Sequence, residues 1–78
     1  MKTPSDLVEY LLSIPDKEAM DVALSALLSD KEMKSVEKRL KILRMLRMGI
    51  SQRQIARELK VGIATVTRGS HAARLYDL

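Results

Sequence analysis

A chain of 78 residues in which 46% are hydrophobic but only 3% aromatic, with a formal charge of +4, reads as one small domain whose apolar material is Leu, Ile, Val, Met and Ala. Such a chain buries only roughly 60% of the surface it exposes when unfolded, so its own core is thin and association with a second copy is expected. The absence of Cys excludes a disulfide framework, a thiolate nucleophile and a cysteine-type zinc site. No apolar run approaches the ~20 residues that span a bilayer or carries the flanks of an export signal, which points to the cytoplasm and away from the membrane. Three Gly, two Pro and no sustained apolar/polar alternation leave an all-α chain.

Taken in chain order, Pro4, Ser5 and Asp6 open a short helix with Leu7, Val8, Leu11 and Leu12 at helical spacing, and Pro15 stops it. Asp16 caps the next, in which Met20, Ala23, Leu24, Leu27 and Leu28 form an apolar stripe. Ser29 with Glu32 is a capping box that begins the longest helix, along Val36, Leu40, Leu43 and Leu46, and Gly49 ends it. A second box, Ser51 with Gln54, opens a short helix through Ile55 and Leu59, and Gly62 breaks the pattern. From Ile63 the chain is helical again, with Val66 inward, until Tyr76, Asp77 and Leu78. This gives five short helices in one domain, residues 1–50 supplying core and dimerisation helices and residues 51–75 the C-terminal pair, with no repeat, low-complexity tract or linker.

Charge is sorted along these elements. Residues 1–30 hold two Lys against six acids; residues 31–50 hold seven bases against Glu32 and Glu37, and residues 51–78 five against Glu58 and Asp77. An acidic first third before a basic remainder suits a body that meets a polyanion at one end. Arg57 and Arg74 read better as solvated helix surface.

Two short helices separated by a brief turn are the sequence image of a helix-turn-helix. With Gln52 as the first position of the usual twenty-residue pattern, Ile55, Leu59, Val61 and Val66 fall on its small core. Ala56 falls where a small residue lets the second helix cross closely. One position departs: Lys60 stands where Gly is usual for positive φ, and Gly62 follows two residues later, so the turn is expected to differ from the commonest form. On the second helix Ala64 and Thr65 are small, Thr67 and Arg68 bring hydroxyl and guanidinium donors, and Ser70 and His71 follow a turn later. Free amides at that helix start suit phosphate, and small residues let the backbone approach base edges. Gln52 and Arg53, opening the preceding helix, suit phosphate anchors.

The run Gly62-Ile-Ala-Thr-Val-Thr-Arg-Gly-Ser70, preceded by Ser51-Gln-Arg, resembles the Trp repressor family, and the likeness extends more loosely over residues 20–74. The resemblance implies a bacterial transcriptional repressor: an intertwined homodimer with two reading heads that docks on double-stranded operator DNA in a mode for which Trp repressor is itself a type example. By the same resemblance Ile63, Ala64, Thr65 and Thr67 face bases, and Gln52 and Arg53 meet phosphate and base, with Arg68 and Ser70 at the same surface. L-tryptophan is implied as corepressor, its ring between Arg39 and Arg68, its carboxylate on Arg68 and Gly69 lining the pocket. Its ammonium would sit near the main-chain carbonyls of Ala26 and Leu28 of the partner subunit, beside Ser29 of the partner subunit. Guanidinium planes stack on aromatic rings and pair with carboxylates, which makes the arrangement chemically sound.

The family pattern also differs in places. His71 and Ala72 replace a polar pair, the loop Met48-Gly49-Ile50 reads one residue shorter, and the sequence reaches Leu78 about where the family begins another helix. Catalysis is not expected, since one His, no Cys and no glycine-rich phosphate loop offer no catalytic pair. His71 has no companion at i+3 or i+4 for a metal, and the five Met read as adaptable core. Two alternatives stand beside a tryptophan-dependent repressor: a DNA-binding regulator of the same fold without tryptophan, and a helical dimerisation or adaptor module exploiting the apolar first helix.

Overall fold

The computed structural model describes residues 6–77. Within them five helices follow one another: α1 (Asp6–Leu12), α2 (Lys17–Leu27), α3 (Asp30–Arg47), α4 (Gln52–Leu59) and α5 (Ile63–Leu75). Pro4, Ser5 and Leu78 lie outside the described residues. The chain divides into two compact units, Met1–Met33 and Lys34–Leu78.

In the first unit the helix ends follow the local chemistry that the sequence announces. α1 ends three residues before Pro15, and beyond it the Ser13 hydroxyl donates to the Tyr10 carbonyl at 2.6 Å and the Ile14 amide to the Leu11 carbonyl at 3.2 Å. At the start of α2 the Asp16 carboxylate accepts from the Ala19 amide at 2.8 Å. Packing inside this unit is sparse. Ala23 alone is buried in α2, Leu27 of the expected stripe is exposed, and on α1 Leu7, Val8 and Leu12 are exposed, Leu12 to 80%.

α3 starts on a complete capping box, the Ser29 amide donating to Glu32 Oε1 at 2.9 Å and the Glu32 amide to Ser29 Oγ at 3.1 Å. The Ser29 backbone amide first, and then the Ser29 side-chain hydroxyl, hold the Glu32 carboxyl below the usual glutamate range. At its other end Gly49 adopts φ +83, and the Ile50 amide reaches back to the Met45 carbonyl at 3.1 Å and the Gly49 amide to Leu46 at 3.0 Å, a Schellman closure.

The second unit has a small core of Ile42, Ile55 and Val66, with Met45, Leu46, Ile50, Ala56, Leu59 and Val61 packed around it. Fully burying each of those three side chains contributes about 1.5–3 kcal/mol. Ile42 departs from the expected stripe. Val36 and Leu40 remain 45% and 46% exposed, while Ile42, outside that stripe, is buried. Leu46, the last position of that stripe, does pack with Ile42 and Met45 against the core, so the side of α3 along 42, 45 and 46 is the one that meets α4 and α5.

Candidate nucleic-acid interface

The α4 and α5 pair is a helix-turn-helix held on Ile55 and Val66, both fully buried, with Ala56, Leu59 and Val61 packed against them. All five are the positions that the spacing predicts. The turn between them corrects the sequence reading: Lys60 itself takes the left-handed conformation, φ 55 and ψ 47, and the Val61 amide bonds the Ala56 carbonyl at 3.0 Å. Gly62 has an ordinary φ of −69 and serves as the N-cap of α5. The turn keeps the commonest form because packing of Leu59 and Val61 on either side fixes the path of the chain. Lys60 absorbs a strain that Gly would not feel.

The second capping box forms only in part. Ser51 Oγ accepts from the Gln54 amide at 3.2 Å, but the Gln54 side-chain amide turns outward to Glu58 Oε1 at 3.3 Å. At the start of α5 Gly62 has no side chain to cap with, and the Thr65 amide bonds the Gly62 carbonyl at 3.0 Å. The Ile63 and Ala64 amides have no partner among the described residues, which leaves two donors at that helix end.

The candidate contact residues do not all stand alike. Ile63, Ala64, Thr65 and Arg68 are exposed on α5, and Arg53 is exposed at the start of α4. Gln52 is half-buried, as is Ser70, which follows Val66 by four residues and so shares much of its inward side. Thr67 is exposed, yet its hydroxyl oxygen lies 2.8 Å from Gln52 Oε1 and 3.0 Å from the Ile63 carbonyl oxygen. Arg57, His71 and Arg74 are exposed. Among the described residues no cluster of three or more His, Cys, Asp or Glu could hold a metal, and no helix is long and apolar enough to cross a membrane.

α3 and α5 border a cleft of about 510 Å³ whose walls include Ser35, Lys38, Arg39, Ile42, Arg68 and Gly69. Its volume lies within the range of small-molecule sites. Arg39, Arg68 and Gly69, three of the expected ligand residues, meet there; Ala26, Leu28 and Ser29 belong to the end of α2 and the start of α3 and do not line it. Lys38 is an addition to the expected set, although 35, 38, 39 and 42 share one helical face, a spacing that marks them as neighbours. Gly69 has a packing role as well. A Cβ there would stand 2.8 Å from Ile42 Cγ2, so α5 lies against α3 at a distance that only glycine permits.

A family model described as Trp repressor protein matches residues 3–76. The chain is 42% identical over 66 residues to a Trp operon repressor homolog of Vibrio campbellii, covering 83% of this chain and 66% of that protein. A Trp operon repressor homolog of Vibrio vulnificus is also 42% identical, over 71 residues, 90% of this chain and 67% of the relative. The chain thus spans about two thirds of the length of the curated relatives it matches. No solved structure matches it.

Proposed function

The chain belongs to the Trp repressor family, and from that premise we propose that it is a sequence-specific DNA-binding transcriptional repressor that acts as a homodimer on operator DNA. The observation that carries this reading is the start of α5. Ile63, Ala64 and Thr65 are exposed around two unpaired amides, with Gln52 and Arg53 one helix away. Small side chains allow a close approach to base edges, the free amides suit phosphate, and Arg53 and Arg68 supply charge. The basic stretch from Lys31 onward supports the same polyanionic partner. Ser70, half-buried, contributes to the seating of α5 more than to contact.

The dimer reading draws on apolar surface that one copy leaves uncovered: Val36 and Leu40 along α3, Leu7, Val8 and Leu12 on α1. L-tryptophan is the proposed corepressor, in the cleft with Arg39 and Arg68 about its ring and Gly69 on its wall. Ala26 and Leu28 of the partner subunit and Ser29 of the partner subunit would complete the ammonium end. Ala72 on the cleft wall, with no hydroxyl to offer, favours a second reading, a DNA-binding regulator of the same fold that does not use tryptophan.

Titration of the protein onto a mixed-sequence 30-base-pair duplex, repeated across a salt series, tests the first claim. Affinity should fall steeply with salt, in proportion to the phosphates neutralised, whereas an adaptor with an apolar interface would hardly respond. Thr65→Ala and Arg68→Ala should abolish specific binding while leaving the fold intact. Calorimetric titration with L-tryptophan, lost in Arg68→Ala, separates the corepressor reading from the second one.

A further inference from the structure

Thr67 is the one residue of the reading helix whose hydroxyl is engaged with a side chain of the other helix, fifteen residues away. Resting on the DNA-binding reading above, we infer that Thr67 is a positioning residue: it holds the Gln52 side chain so that the Gln52 amide NH2 is presented to a DNA phosphate, and it does not read a base.

Proton count decides which way the Thr67 hydroxyl points. A threonine hydroxyl carries one proton and two lone pairs, and two carbonyl oxygens lie within reach of it, Gln52 Oε1 at 2.8 Å and the Ile63 main chain at 3.0 Å. The Ile63 carbonyl already serves the helix ladder of α5, whereas Gln52 Oε1 has no other donor among the described residues. The proton therefore belongs to Gln52. A base acceptor seeking it would have to displace that carbonyl oxygen.

The consequence falls on Gln52. With Oε1 turned to Thr67, the side-chain amide has its two N–H donors left to face outward, the polarity that a phosphate oxygen accepts. Ser51 Oγ occupies the Gln54 amide, so the main-chain amides of Gln52 and Arg53 stay unpaired at the same helix end, beside the exposed Arg53 guanidinium. Gln is a side chain with many rotamers. Half-buried and tied to Thr67 before DNA arrives, it has less freedom to lose on binding.

The test uses the whole chain with Thr67→Val, which keeps shape and loses the hydroxyl, Thr67→Ser, which keeps the hydroxyl, Gln52→Ala, and the double variant Gln52→Ala with Thr67→Val. Binding is measured to the mixed-sequence duplex and to duplexes selected from a random pool, and unfolding is measured by denaturant without DNA. Thr67→Val should weaken every duplex alike, by about three- to tenfold, the range of one hydrogen bond. Thr67→Ser should bind as the parent does, and the double variant should be no weaker than Gln52→Ala alone. The salt slope should not move, because Gln52 is neutral and releases no counterion. A changed base preference in the duplexes that Thr67→Val selects, or effects of Gln52→Ala and Thr67→Val that multiply in binding or add in unfolding, would overturn the inference. If unfolding shows the coupling but the parent chain binds no duplex, the DNA-binding reading fails and this inference with it, while the bridge itself stands.

Discussion

Gly69→Ala sets two well-understood effects against each other. In the interior of α5, replacing Gly by Ala should stabilise the helix by about 1 kcal/mol. Against that, the new Cβ would stand 2.8 Å from Ile42 Cγ2 and 3.9 Å from Ile42 Cβ, where an ordinary contact is about 3.5–4 Å. Ile42 is 1% exposed, and its branch at Cβ leaves χ1 little freedom, so the methyl cannot swing aside into empty space. Overpacking of this kind costs about 1–3 kcal/mol, which leaves Gly69→Ala destabilising by about 1 kcal/mol. In a domain of this size that amounts to a fall in Tm of about 4–8 °C, readable by circular dichroism or calorimetry. The sign decides the matter: a rise in Tm would mean that α5 can move away from α3 at little cost. The Ile42→Leu background supplies the control, because Leu has no methyl on Cβ, and there Gly69→Ala should become neutral or stabilising. If the loss persists unchanged with Leu at 42, contact with Cγ2 is not its cause.

Lys60→Gly should stabilise the protein by about 0.5–1 kcal/mol, since the relief of left-handed strain exceeds the entropy Gly brings to the unfolded chain; an unchanged denaturation midpoint would show that the φ of 55 carries no strain. Gly49→Ala should act in the opposite direction by about 1 kcal/mol, because its φ of +83 closes α3 and a Cβ there is strained although nothing lies within 4 Å of it. Glu32 titrates lower in the folded state than in the unfolded one, so its contribution is fully present above the ordinary glutamate pKa and is lost as pH falls through the folded value. The protection of the Ser29 amide, its exchange measured against the intrinsic rate at each pH, should therefore fall on acidification in the parent, and Glu32→Gln should flatten that dependence; the same acid response in the variant would rule out Glu32 as its source.

Much of the helix-turn-helix is legible in residue order alone. The starts of α2 and α4 depend on contacts three residues apart, Asp16 with Ala19 and Ser51 with Gln54, so short-range spacing locates them. The core positions of α4 and α5 follow because Ile55 and Val66 each sit on the single apolar side of a short helix. α3 is harder for the converse reason. It carries apolar residues on more than one side, and periodicity cannot say which the rest of the chain will cover; of the Val36, Leu40, Leu43 and Leu46 stripe Leu46 packs against the core, while Ile42, outside it, is the residue enclosed.

Composition, charge order, helix ends and helix-turn-helix spacing are thus determined by the sequence itself, since each follows from neighbours within about one helical turn or from residue totals. Tertiary structure decides the rest: the burial of Ile42, the left-handed Lys60, the close approach at Gly69, the cleft that gathers Arg39, Arg68 and Gly69, and the Gln52 to Thr67 bridge. Each of these depends on how closely and at what angle helices cross. The crossing is fixed by side-chain shapes from separate stretches of chain meeting at once, which no local pattern encodes.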